Sequence, residues 1–163
     1  DKMFKLGLEE LKNQFDRELM RKDSLESKAS YIVGFTSIIL PLLFSILLEL
    51  LNEKSIISVE LKSYMLGILI IDMVLIFITL IITIYILDVT HVNYPLPSSN
   101  PNELNNFYFN NTNLESDLKD YYFGCISNLN IQNNKKANLL SLCFKLILVS
   151  SILIFIMFLG VLL

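Results

Sequence analysis

The sequence predicts an all-α membrane protein with three spanning helices, an amphipathic helix before the first span and a further helical segment between the second and third. Three observations lead there. The 163 residues are 53% hydrophobic and only 18% charged, against about 45–50% and about 25% in ordinary soluble domains. The apolar excess is gathered into three blocks rather than spread along the chain. The polar stretches between them carry hydrophobic residues at helical spacing.

The first block runs from Tyr31 to Leu51, with Glu49 near its far end as its only charge, and the second from Tyr64 to Leu87, with Asp72. The third, Leu139 to Leu163, carries Lys145 near its start. A hydrocarbon core about 30 Å thick takes about 20 helical residues at about 1.5 Å each, and every block is that long. A secretory signal is a poor reading of the first block, because a signal core is roughly 7–15 residues with a cleavage site after it. Here the run is longer and is followed by Asn52-Glu53-Lys54. The expected organisation is a cytoplasmic amphipathic helix over 1–29, spans over 30–51, 64–87 and 139–163, an external loop over 52–63 and a cytoplasmic segment over 88–138.

Orientation follows from Lys and Arg. Seven lie before the first span and three in the segment after the second, at Lys119, Lys135 and Lys136, against Lys54 and Lys62 in the short loop. The positive-inside rule then places the N-terminus and 88–138 in the cytoplasm, and the 52–63 loop and C-terminus outside, in a multi-pass membrane protein.

Outside the spans, Phe4, Leu8, Leu11, Phe15 and Leu19 fall on one helical face. Glu18 and Lys22 are spaced as an i,i+4 pair, and Asp23-Ser-Leu-Glu26 resembles a capping box that restarts helix before the membrane. The polar face is mixed in charge, which favours packing against a second element over lying on the membrane. After the second span, Pro95, Pro97 and Pro101 forbid helix. An aromatic knot, Phe107-Tyr108-Phe109, either covers a small core or binds something planar. Thr112-Asn-Leu-Glu115 then opens a helix whose stripe of Leu114, Leu118, Tyr121, Tyr122, Cys125 and Leu129 is expected to face the first stripe and to run as a rod towards the third span.

Few residues carry chemistry. Asp72 lies about 12 Å inside its span and Lys145 about 9 Å from the other side, so a direct pair is disfavoured and Lys145 is expected to snorkel. Asp72 is either one of a ring of acids around an oligomeric pore, or a neutral acid hydrogen-bonded to Ser37, Ser45, Ser150 or Ser151. Pro41 removes the donor to the Ser37 carbonyl and should bend its helix, mainly for packing. Ser37, Thr79, Thr83, Ser150 and Ser151 read as interhelical hydrogen-bond formers. A net charge of -3 argues against binding a nucleic acid polymer. Cys125, Cys143 and the lone His91 make neither a disulfide framework nor a metal site, and the thiols read as buried. No nucleophile elbow, paired carboxylates or Gly-rich phosphate loop is present, so neither an enzyme nor a cofactor is expected. A transporter is disfavoured because the spans do not repeat.

The order of parts carries a resemblance. A helix runs into Leu25-Glu26-Ser27-Lys28-Ala29-Ser30 at the mouth of the first span, the second span ends in a Pro-containing exit, and a helix leads through Asn134-Lys135-Lys136-Ala137-Asn138 into the third. This resembles the small membrane effectors of bacterial antiphage signalling, the Pycsar effector family and the related SLATT domains, in which an Asp-x-Lys-Ala motif precedes the first span. Here Glu26 stands in place of that Asp, with Lys28 and Ala29 at the matching positions. The resemblance implies a homo-oligomeric effector that answers a cyclic nucleotide, or a soluble signalling partner, by oligomerising or gating and so permeabilising the inner membrane. The alternative is a non-conducting membrane subunit that docks a soluble partner through 89–137. Asp1 in place of an initiator methionine leads to the expectation of a fragment of a longer protein.

Overall fold

A computed structural model describes residues 2–52, 59–88 and 113–162, with side chains over 7–52, 59–88 and 113–160. The proline-rich exit, His91 and the 107–109 aromatic knot lie outside these residues, as does Thr112. All described secondary structure is helical: α1 spans Lys2–Leu51, α2 Val59–Leu87 and α3 Leu114–Leu162. Each is long and apolar enough to cross a membrane. The protein therefore has the make-up of a multi-pass membrane protein.

The helices are longer than their apolar blocks. At 1.5 Å per residue, α1 and α3 extend roughly 75 Å each, more than twice a hydrocarbon core. The helix expected to restart at Asp23–Glu26 does not: α1 runs through that stretch unbroken. The physical reason is that caps act on N–H groups lacking an i−4 partner, whereas here a full turn of helix-competent residues, Leu19 to Lys22, precedes the motif. The first expected segment and the first span are thus one helix. Pro41 likewise sits inside α1 without ending it, on its exposed side.

The ends are closed locally. The Asp117 N–H donates to the Asn113 carbonyl at 3.1 Å, which makes Asn113 the residue that opens α3. Glu115 and Asp117 in the first turn complement the helix dipole. At the end of α1 the Asn52 N–H donates to the Glu49 carbonyl at 3.2 Å, and the Lys62 ammonium caps the Asn52 carbonyl at 3.0 Å.

Two compact units result, Asp1–Leu25 with Val89–Lys136, and Glu26–Asp88 with Ala137–Leu163. In the first, the two hydrophobic stripes meet: Phe15, Cys125 and Leu129 form a buried cluster joined by Leu19, Tyr122 and Ile126. The Phe15 and Tyr122 rings stand edge to face, centroids 5.9 Å apart. Polar contacts fix this pairing. Asn133, buried, donates to both the Glu18 carbonyl at 2.9 Å and the Glu18 carboxylate at 2.8 Å, and Arg21 donates to Asn134 at 2.7 Å. The Glu18 carboxylate also lies 3.6 Å from Arg21.

The second unit is a three-helix core. Leu43 and Leu50 of α1, Met65, Leu69 and Ile76 of α2 and Met157 of α3 are all buried together. Buried positions on α2 alternate strictly in steps of four and three, at 65, 69, 72, 76, 79, 83 and 86, and those on α1 step by three and four and then by sevens, at 29, 32, 36, 43 and 50. This is the seven-residue repeat of coiled-coil packing, which gives each helix a narrow seam. The seam leaves most of each helix outside: only 17–28% of the apolar windows is buried. The remaining faces, with Phe35, Phe77 and Phe155 among their exposed residues, have the composition of a lipid-facing surface.

Truncating Phe15 to Ala should cost the first unit about 3–5 kcal/mol, the range for a buried Phe. Hydrogen exchange should then accelerate over 7–25 and 114–133 and stay unchanged over 65–86.

Candidate functional site

Asp72 stands near the middle of α2 in its most apolar stretch, and it is 1% exposed. Its place on the seam follows from spacing: three residues after Leu69 and four before Ile76, both core residues, it is carried inward with them. The Ser150 side chain of α3 lies beside it. Neither carboxyl oxygen nevertheless reaches a partner with hydrogen-bond geometry. A buried carboxyl short of partners costs free energy rather than contributing it, and the Ser150 hydroxyl is the group placed to offset that cost.

The register of α2 on α3 follows from three contacts. Asp72 meets Ser150, the Cys143 thiol lies 4.0 Å from the Thr79 carbonyl, and Gly160 has the Leu61 methyl 3.9 Å from where its Cβ would stand. As the α2 number falls the α3 number rises in step, so the two helices run antiparallel. One heptad, about 10.5 Å, separates the Asp72 level from the Thr79 level.

The threonines turn out to serve their own helices. Thr79 donates to the Leu75 carbonyl at 2.9 Å, Thr83 to the Thr79 carbonyl at 2.6 Å, and Thr36 to the Ile32 carbonyl at 2.9 Å. Ser37 and Ser151, exposed, donate to the Val33 and Ile147 carbonyls of theirs. The expectation that Ser37, Thr79, Thr83 and Ser151 donate between helices is therefore corrected: each donates within its own helix. An i−4 carbonyl is always within reach in a helix, while a partner across the seam must be placed by packing. What the buried hydroxyls do present to the seam is oxygen lone pairs, since their protons are already committed.

The structure brings Asp72, Ser150, Thr79, Thr83 and Thr36 to buried positions of one unit and leaves other singled-out residues outside it. Ser45 and Lys145 are exposed, like Ser37, Pro41 and Ser151. Of the motif before the first span, Ala29 is fully buried, Glu26 half-buried and Lys28 exposed. Thr36 and Asn133 were not singled out from the sequence, although Thr36 lies on the seam at seven-residue spacing from Ala29 and Leu43.

The first unit carries a groove of about 730 Å³ lined by Leu8, Glu9 and Lys12 of α1 and Leu114, Glu115, Leu118 and Tyr122 of α3. The Lys119 ammonium lies 3.6 Å from where a Cβ on Gly7 would stand and pairs with Glu115 at 3.5 Å. An apolar floor, an aromatic ring and two ammonium groups thus lie close together. Below it, burial pushes the Cys125 thiol up from its ordinary range. Among the described residues no cluster of His, Cys, Asp and Glu could hold a metal.

Two outcomes follow. Replacing Asp72 with Leu should stabilise the detergent-solubilised protein by about 1–3 kcal/mol, while Thr79→Val should change it by less than about 1 kcal/mol; thermal unfolding measures both. For Cys125 the unfolded thiol ionises before the folded one, so stability of the first unit should fall as pH rises through the thiol range. Denaturant unfolding between about pH 7 and 10 should show a slope that Cys125→Ser lacks.

No protein-family model matches the chain, and no significant match is found among curated proteins or solved structures. Function is accordingly argued from the residues.

Proposed function

We propose that the chain is a homo-oligomeric membrane effector of antiphage defence, in which a signal acting on the first unit rearranges the three spans and permeabilises the inner membrane. The N-terminus and 88–138 lie in the cytoplasm, as the distribution of Lys and Arg favours. The observation that carries the proposal is the continuity of α1 and α3. Each contributes residues to both compact units without a break, so a displacement of either helix in the first unit is carried along its own hydrogen-bonded backbone into the second.

The groove of the first unit supplies the candidate signal site. A cyclic nucleotide has an anionic phosphate and a planar base, and Lys12, Lys119 and the Tyr122 ring are groups suited to these. Glu9 and Glu115 offset part of that charge, which disfavours simple anions. The ligand opens the assembly only by the difference in its affinity for the two arrangements. Moving the population from 1:99 to 99:1 takes about a 10⁴-fold difference.

Purified full-length chain in phosphatidylethanolamine and phosphatidylglycerol liposomes should release trapped dye when 3′,5′-cyclic nucleotide is added, and should behave as an oligomer in detergent. Reversing one groove charge, Lys12→Glu, should weaken the response to nucleotide by about tenfold or more. Absence of release under every nucleotide, with normal growth on overexpression, would reject the effector and favour a docking subunit for a soluble partner.

A further inference from the structure

We propose that the route through the membrane is the seam inside each chain, that it passes cations, and that Asp72 is its selecting group. This rests on the permeabilising reading above and names its path and its permeant.

The outer face of α2 cannot line water. Ile70, Ile71, Val74, Phe77, Ile78 and Ile81 are exposed there in the single chain and would present only hydrocarbon to a lumen. Within the apolar stretch of α2, the polar residues are Asp72, Thr79 and Thr83, and all three are on the seam, at most 1% exposed. Ser150 of α3 and Thr36 of α1 are buried in the same unit. Any polar lining that α2 gives to a path therefore comes from the side that faces its neighbours.

The chemistry of that lining has a sign. The threonine protons are bonded to carbonyls of their own helices, so the hydroxyls face the seam as acceptors. Asp72 adds two further acceptor oxygens, both without partners. The Ser150 hydroxyl is the donor beside Asp72; acceptor oxygens and a carboxyl still outnumber it, and a lining of that kind stabilises cations over anions. Lys145, the basic residue of the third apolar block, is exposed and does not neutralise Asp72.

The same geometry makes the closed seam ready to open. Neither Asp72 carboxyl oxygen has a hydrogen-bond partner in the protein, and the free energy of such a buried group falls when water or a cation reaches it. Beside Asp72 stands the short side chain of Ser150, and one heptad away Cys143 lies against Thr79, with the buried Ile76 between these levels. Opening the seam therefore separates short side chains at the polar levels and gives up the packing of Ile76 between them. A path of this kind has one Asp72 per route, whereas a pore between copies would set several around one axis and would need α2 to rotate its seam outwards.

Cysteine accessibility in the full chain tests the route. In a Cys125→Ser, Cys143→Ser background, Thr79→Cys and Thr83→Cys should be modified by a membrane-impermeant thiosulfonate during nucleotide-induced leak and protected at rest. Ile78→Cys and Ile81→Cys should stay unmodified in both states. Asp72→Asn should lower the preference for potassium over chloride by about tenfold, the lower end of charge focusing in a low-dielectric cleft. In mixtures of wild-type and Asp72→Asn chains, single-channel records should show two discrete selectivities and no intermediates. Leak with modified outer-face cysteines and unreactive seam cysteines, or with intermediate selectivities, overturns the seam route and leaves the effector reading standing. No leak under any nucleotide overturns both. Should Asp72→Asn fail to insert, the accessibility experiment decides alone, because it keeps Asp72.

Discussion

Burial of a stripe one residue wide is the constraint on which the rest of this structure depends. The three spans satisfy their backbone hydrogen bonds internally, as hydrocarbon requires. What remains to be decided is which side chains turn inward. Strict alternation of threes and fours along α2 admits seven positions from Met65 to Ile86 and no others. Everything polar in the middle of that helix falls on this seam, so the core of the unit is the only place where its chemistry can act.

A narrow seam leaves the unit stable enough to form and loose enough to change. Apolar packing is supplied by Leu43, Leu50, Met65, Leu69, Ile76 and Met157, and short polar side chains and a thiol meet at the Asp72 and Thr79 levels on either side of Ile76. In lipid no hydrophobic force holds helices together, and close packing does that work. Asp72 takes up a packing position without returning a hydrogen bond. The opposite device is seen in the first unit. There Asn133 reaches both the backbone and the carboxylate of Glu18, and a buried amide on a helical interface fixes one register at the expense of stability. The Asn133 amide N–H groups thus fix an alignment in the first unit, whereas both oxygens of the Asp72 carboxyl in the second lack a partner.

Much of the architecture was legible from composition and spacing. Three helices of membrane-spanning length, and the meeting of the Phe15 stripe with the Tyr122 stripe, follow from where apolar residues recur. The absence of a break at Asp23–Glu26 did not follow, because a capping motif reads the same whether or not a preceding turn has already satisfied its N–H groups. Asp72 stood out because a charge in hydrocarbon is rare, but its neighbour was one of four serines that sequence could not tell apart.

By itself the sequence determined that this chain is helical and has three membrane-length apolar segments, since length and hydropathy are local properties of a stretch of residues. Only the tertiary structure decided that Ser150, and not Ser37, Ser45 or Ser151, stands beside Asp72. The physical reason is register: which serine meets Asp72 is settled only when packing fixes the height and rotation of each helix, and a rotation of one residue, about 100°, separates Ser150 on the seam from Ser151 on the outer face.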